Sequence, residues 1–127
     1  MSIPIRNIVA YVHVVSVPKS IEFYETLGFC VDSTHSDANE TVWAWMKSER
    51  GNLMLAKASG PIDPEQQAIL FYVYVEDVVG KRNELSAAGL KVSPLTHPFW
   101  APEGEFRVVD PDGYSLLFIK ASERVVS

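Results

Sequence analysis

The sequence contains little cysteine and no long apolar run. The single cysteine, Cys30, excludes a disulfide within the chain and is typical of a reducing compartment, where we expect it to be a small core residue. No apolar run approaches the roughly 20 residues that a membrane-spanning helix needs. Residues 1–7 lack the apolar stretch behind a basic start that marks a secretory signal. The sequence therefore predicts a cytoplasmic protein that does not span a membrane.

Basic residues are scarce as well. The chain has 11 Lys and Arg against 16 Asp and Glu, which gives a formal charge of −5 at pH 7. Nucleic-acid binding needs a basic face, so the balance argues against a nucleic-acid partner. It favours neutral or cationic partners, or serves solubility alone. The sequence also lacks a phosphate-binding loop, a dinucleotide fingerprint and a nucleophile-elbow motif.

The chain does contain an internal repeat. Residues 8–31 align with residues 69–92 without a gap, and the second halves of the two repeats follow in the same order. At 127 residues with 47% hydrophobic content, the chain has one domain's worth of sequence. We predict a single domain built of module 1–60 and module 68–127, joined by the polar linker 57–67. The aligned identities include the pairs Ile8/Ile69, Tyr11/Tyr72, Val14/Val75 and Gly28/Gly89.

Each module predicts a strand, a helix and three further strands, an α+β arrangement. In the first module, residues 8–15 are rich in β-branched side chains, and Ser16 and Gly28 are suited to begin and end a helix. In the second module, residues 69–75 form the matching strand, and Asp77 and Gly89 bound the helix. Turns at 50–52 and 110–113 separate later strands. The predicted buried helix positions are Ile21, Tyr24 and Leu27, and then Val78, Leu85 and Ala88.

Strand alternation separates two faces in the first strand of each module. Phe71, Val73 and Val75 are uniformly apolar and suit the face that a helix covers. The other face carries aromatic rings with polar tips, which suit either a ligand-lined surface or a second packed face with hydroxyls at its rim. In the two modules this other face consists of Val9, Tyr11 and His13, and of Leu70, Tyr72 and Tyr74.

Two motifs make the chain resemble the vicinal oxygen chelate superfamily, which includes glyoxalase I, bleomycin-resistance proteins and extradiol dioxygenases. Phe23-Tyr24 precedes Leu27-Gly28-Phe29, and Glu105-Phe106 precedes the turn Asp110-Pro111-Asp112-Gly113. The resemblance covers essentially the whole chain. It implies two βαβββ modules whose curved mixed sheets pair into a cup, and it implies a homodimer. Fold and activity separate freely in such families, so these motifs do not define a reaction.

The resemblance also indicates where metal-dependent members hold their ion. The corresponding positions here are Val9, Leu70 (or Ala68 if the register shifts by two) and Leu117, and aliphatic side chains offer no donor atoms. We therefore predict neither a metal nor another cofactor. A metal held by His13, His97 and Glu103 is the alternative. His35 is predicted to lie in a solvated loop.

The remaining pattern is aromatic and acidic. Trp43 and Trp45 share one face of a strand, and the proline-rich loop 94–105 carries aromatic and acidic side chains. This pattern resembles metal-free bleomycin-resistance proteins, acidic dimers that sequester a cationic drug. The resemblance implies antibiotic resistance by sequestering an aromatic or cationic small molecule in a concave cleft, without catalytic residues. The predicted ligand-binding residues are Tyr11, His13, Trp43, Trp45, Tyr72, Tyr74, Phe99, Trp100, Glu103 and Glu105.

Two alternatives stay open at this point. One is a glyoxalase-like lyase, isomerase or dioxygenase with a non-standard metal site, or with acid–base catalysis by Tyr72, Tyr74, His13 or a carboxylate. The other is an interaction module whose concave face is buried in an oligomer. Metal analysis of protein purified without chelator discriminates between the enzyme and the metal-independent binding protein.

Overall fold

A computed structural model of the protein describes residues 3–121, and these form two compact units that divide between Ile62 and Asp63. Met1, Ser2 and the end of the predicted second module beyond residue 121 lie outside the described residues. Each unit contains a mixed sheet and one α-helix, so the predicted α+β class is confirmed. Among residues 3–121, no helix is both long enough and apolar enough to cross a bilayer.

The first unit is a four-stranded sheet with one helix on a single face. Its strands lie in the order β1-β4-β3-β2, with β1 parallel to β4 and the other neighbours antiparallel. Val12 and Val14 of the first strand are buried, whereas Tyr11 and His13, which alternate with them, are exposed. The elements are β1 (Ala10–Val14), α1 (Val17–Leu27), β2 (Cys30–Asp37), β3 (Glu40–Lys47) and β4 (Asn52–Lys57).

The second unit has three strands where the sequence predicts four. Its sheet has the order β5-β7-β6, with β5 parallel to β7. The segment 90–104 forms only an isolated bridge between Thr96 and Glu105, because Pro94 and Pro98 lack the N–H that a ladder requires. The elements are a short 3-10 helix (Pro64–Gln66), β5 (Leu70–Val75), α2 (Val78–Ala87), β6 (Glu105–Val109) and β7 (Ser115–Lys120).

Both helices begin at the predicted caps. The Ser16 hydroxyl accepts a hydrogen bond from the Lys19 backbone N–H at 3.3 Å, and an Asp77 carboxylate oxygen accepts one from Gly80 at 2.9 Å. Gly28 ends α1 with a φ of 121°, a conformation that favours glycine.

Three predicted core positions are wrong or incomplete. Ile21 is half-buried because it lies at the edge of the buried stripe of α1. Ala88 is exposed because it is the C-cap of α2, which ends at Ala87, and so lies outside the helix. Cys30 is exposed because it begins β2, an edge strand whose residues are all exposed. The buried helix positions are Val17, Ser20, Tyr24 and Leu27 in α1, and Val78 and Leu85 in α2.

The turn between β6 and β7 is held by the buried Asp110 carboxylate. Asp110 Oδ1 accepts hydrogen bonds from the backbone N–H groups of Asp112 at 2.8 Å and Tyr114 at 2.9 Å. Burial, and then the charges of Asp110 and Asp112, raise the pKa of the Tyr114 phenol above its ordinary value, whereas a hydrogen bond with Gln67 lowers it. The phenol therefore stays protonated at neutral pH, and we assign this turn a structural role.

Candidate functional site

The face of the first sheet that α1 does not cover carries four of the predicted ligand-binding residues. Paired strand residues point to the same side of a sheet, so His13, Ala56, Trp43 and His35 form one row across the four strands. The adjacent row consists of Tyr11, Met54, Trp45 and Ser33. The strands thus bring Tyr11, His13, Trp43 and Trp45 together on one surface, which we call the first open face.

A shallow depression of about 580 Å³ lies at one end of the first open face. Its lining includes Tyr11, Trp43, His35 and Asp37. The prediction that His35 lies in a loop is wrong, because His35 is part of β2 and pairs with Trp43. Sequence reasoning also missed Asp37. The sequence signal that could have located it is Asn39, a residue type that tolerates the positive φ of a tight hairpin; the structure has a φ of 64° there, in the turn between β2 and β3.

The charges around the depression do not all cancel. The Lys57 ammonium, which lines it, pairs with the Glu40 carboxylate at 2.6 Å. The Asp37 carboxylate makes no ion pair within 4.0 Å among residues 3–121. An uncompensated carboxylate beside an aromatic ring favours a cationic group in the depression.

Local contacts orient the other aromatic rings of the first open face. The Trp45 indole N–H donates to Asn52 Oδ1 at 2.9 Å, across the hairpin that joins β3 to β4. The Tyr11 and His13 rings meet edge to face, with centroids 5.3 Å apart. Trp43 and Trp45 are both half-buried, so part of each indole remains open to a ligand.

The second sheet has a corresponding face, which we call the second open face, whose outer strands carry exposed side chains whereas Leu117 and Ile119 of its central strand are buried. Tyr72, Leu117 and Arg107 form one row across β5, β7 and β6, and Tyr74, Ile119 and Glu105 form the next. The two tyrosines are 44% and 42% exposed, so their rings are not packed as a second core.

The loop 94–104 places Phe99, Trp100 and Glu103 near Glu105, the first residue of β6. The Trp100 indole N–H donates to Glu105 Oε2 at 3.0 Å, and the Phe99 ring meets the Trp100 ring edge to face at 5.0 Å. Glu103 lies 4.0 Å from the Lys120 ammonium, so its charge is partly compensated. The Trp100 indole is an uncharged donor, so it does not compensate the charge of the Glu105 carboxylate. A hollow of about 220 Å³ lies between Trp100, Glu103 and Lys120.

We expect replacement of Trp100 by alanine to lower the free energy of unfolding by less than about 1 kcal/mol, because the side chain is half-exposed on a loop. Urea denaturation measures the change, with Phe99→Ala as the matched loop variant. A loss above about 2 kcal/mol for Trp100→Ala would instead place the indole in the core of the second unit.

The residues at the metal-ligand positions of related proteins do not fit a metal. Val9 is half-buried, Leu70 is exposed and Leu117 is buried, and none of these side chains has a donor atom. Among residues 3–121, no group of three or more His, Cys, Asp or Glu side chains could hold an ion.

Comparison with known proteins defines the family. The model of the Glyoxalase/Bleomycin resistance protein/Dioxygenase superfamily matches residues 8–118, and the chain belongs to this superfamily. The two βαβ-based units and their open sheet faces are therefore this superfamily's fold, as the motifs predicted. No curated protein matches the chain.

Solved structures extend the fold match over nearly the whole chain. A bleomycin resistance determinant encoded on the transposon Tn5 is 18% identical, with a TM-score of 0.75 over 93% of this chain and 99% of that one. The bleomycin-binding protein of Streptomyces verticillus, complexed with copper(II)-bleomycin, is 19% identical, with a TM-score of 0.71 over 95% and 100%. A mutant of the fosfomycin resistance protein FosX from Listeria monocytogenes, complexed with Mn(II), is 12% identical, with a TM-score of 0.70 over 97% and 98%. Identities this low show a shared fold.

Proposed function

We propose that the protein is a metal-independent binding protein of the bleomycin-resistance type, which sequesters an aromatic or cationic small molecule. The observation that carries the proposal is the half-buried Trp43 ring in a depression that also contains the uncompensated Asp37 carboxylate. A planar cation would stack on the indole, with its charge near Asp37. Binding alone would provide resistance, because a sequestered drug cannot reach its target.

The size and chemistry of the depression support this proposal. Its volume of about 580 Å³ lies within the range of small-molecule sites. A cation over a tryptophan face contributes about 0.5–2 kcal/mol, whereas micromolar affinity requires about 8 kcal/mol. Several aromatic contacts and a carboxylate must therefore act together. Tyr11, Trp43 and Asp37 supply both kinds of group around one depression.

The comparisons favour the same class of function. Two of the structures that share the fold bind bleomycin or confer resistance to it. The aliphatic residues Val9, Leu70 and Leu117 support a role that needs no metal. A homodimer stays a prediction of the family resemblance, and sedimentation velocity at the concentrations used for binding measures it.

Isothermal titration calorimetry of chelator-treated protein tests the proposal, with bleomycin and the planar cation proflavine as ligands. We expect Trp43→Ala to weaken binding of the active ligand at least about tenfold, because the variant removes the stacking surface. Phe23→Ala is the matched control, since Phe23 is also half-buried in the first unit but lies on α1. It should leave the dissociation constant unchanged.

Two results would contradict the proposal. One is equal loss of binding in Trp43→Ala and Phe23→Ala, which would show that both act through stability. The other is binding that appears only when Zn²⁺, Mn²⁺, Fe²⁺ or Ni²⁺ is restored after chelation, which would show that a metal holds the ligand.

A further inference from the structure

Two opposite charges lie next to each other on the second open face. Glu105 and Arg107 are separated by one residue on β6, so their side chains point to the same side, about 7 Å apart along the strand. Within residues 3–121 the Arg107 guanidinium makes no ion pair shorter than 4.0 Å, with Glu105 or with any other carboxylate. Both charges are therefore available to a ligand.

The Glu105 carboxylate is held in place without losing its charge. The Trp100 indole N–H donates to Oε2 at 3.0 Å, and an indole is an uncharged donor. The backbone of Glu105 is fixed on both sides, because it bridges Thr96 and also pairs with Ile119. Arg107 in turn presents a planar guanidinium that can bind a carboxylate through two parallel hydrogen bonds.

An apolar and aromatic surface adjoins these charges. Leu117 and Ile119 of the central strand lie directly beside Arg107 and Glu105, and Tyr72 and Tyr74 follow on the far side. The two phenol rings are 6.5 Å apart and inclined by 31°, and both are exposed. Leu117 and Ile119 are themselves buried, so a flat ring of the ligand would contact the exposed faces of the two tyrosine rings beside the charged pair.

We propose that the second open face recognises a planar aromatic zwitterion, with its anionic group at Arg107 and its cationic group at Glu105. The proposal rests on the proposed ligand-binding function and specifies the ligand class for the second unit. A ligand carrying only one charge would leave either Arg107 or Glu105 uncompensated, and a ligand with several like charges would meet repulsion at one of them. Because Glu105 and Arg107 lie about 7 Å apart along β6, the two charges of the ligand must lie at opposite ends of its ring.

Titration followed by NMR tests this ligand class with three probes of nearly equal size. The zwitterion para-(aminomethyl)benzoate carries both charges, whereas para-methylbenzoate and para-methylbenzylamine carry one each. We expect the zwitterion to bind about tenfold more tightly than either singly charged probe, because each end makes a charge-assisted hydrogen bond. The shifted backbone signals should lie in β5, β6 and β7.

Two conservative variants show which residue binds each charged end of the ligand. Arg107→Gln should remove the advantage of the zwitterion over para-methylbenzylamine, and Glu105→Gln should remove its advantage over para-methylbenzoate. Glutamine at position 105 keeps an acceptor for the Trp100 indole, so the second variant changes the charge and preserves the loop contact. Lys91→Gln is the control, because Lys91 is an exposed cation of the second unit that lies outside this face.

The failure of this proposal is separable from failure of the proposed function. Equal affinity for the three probes, or no effect of Arg107→Gln, would overturn the zwitterion even if proflavine or bleomycin binds at Trp43. Zwitterion binding that weakens as the protein self-associates, seen by sedimentation velocity, would assign the face to a second copy of the chain and would also overturn it. Retained zwitterion binding in Trp43→Ala would support a separate recognition surface on the second unit.

Discussion

Replacing Phe118 with alanine is expected to lower the free energy of unfolding by about 3–5 kcal/mol. The Phe118 ring is fully buried and stacks on Phe106 of the neighbouring strand, with centroids 4.8 Å apart and an angle of 5° between the planes. Alanine would leave a cavity beside a ring that has lost its partner. Because β7 is the central strand of the sheet, neighbouring side chains cannot close that cavity without moving both β5 and β6.

Urea denaturation followed by circular dichroism measures this loss. Phe99→Ala is the control, because it removes the same side chain where it is 90% exposed, and we expect a change within about 0.5 kcal/mol. Equal losses in the two variants would contradict the packing described for the second sheet. An unfolded Phe118→Ala variant would support it, and Phe118→Leu then gives a measurable intermediate loss.

The second large effect is expected for Gly113→Ala, at about 2–4 kcal/mol. Gly113 has a φ of 90°, and an added Cβ would lie about 2.5 Å from the Cα of Pro64. The obstacle includes the backbone of the 3-10 helix at Pro64–Gln66, so a side-chain rotation cannot relieve it. Either the turn between β6 and β7 or this 3-10 helix must move.

Gly89→Ala separates the backbone strain of a positive φ from the steric clash with Pro64. Gly89 has nearly the same φ, 91°, but an added Cβ meets no atom within 4 Å. We therefore expect Gly89→Ala to cost only the conformational strain, about 1 kcal/mol. Equal losses at the two glycines would show that Pro64 does not press on the turn, and would contradict this account of the linker.

Much of the fold could be predicted because local sequence patterns determine it. Ser16 and Asp77 are cap residues whose side chains bond their own helices, and the alternation in β5 separates the half-buried Phe71, Val73 and Val75 from the exposed tyrosines. β2 could not be identified in the same way. All its residues are exposed at a sheet edge, so no apolar alternation distinguishes it from a loop.

The candidate site was predictable in its residue types and only partly in its arrangement. Parity alone placed Trp43 and Trp45 on one face, but the position of His35 beside Trp43 depends on the register of the β2–β3 hairpin. The bond from Trp100 to Glu105 depends on the path of a proline-containing loop that no repeat pattern specifies. The proposed role of Arg107 could not be predicted from the sequence, because it depends on the register that places Arg107 beside Leu117 and Tyr72.

We propose that Trp43 forms the floor of a ligand site that needs no metal. The chain has three tryptophans, so its ¹⁵N-labelled form gives three indole N–H signals, which Trp43→Phe, Trp45→Phe and Trp100→Phe assign. Titration with proflavine in the presence of a chelator measures the site directly. We expect a saturable shift of the Trp43 signal that exceeds the shift at Trp100. A Trp43 signal that stays unchanged while the ligand binds elsewhere, or that shifts only after a divalent metal is added, would contradict it.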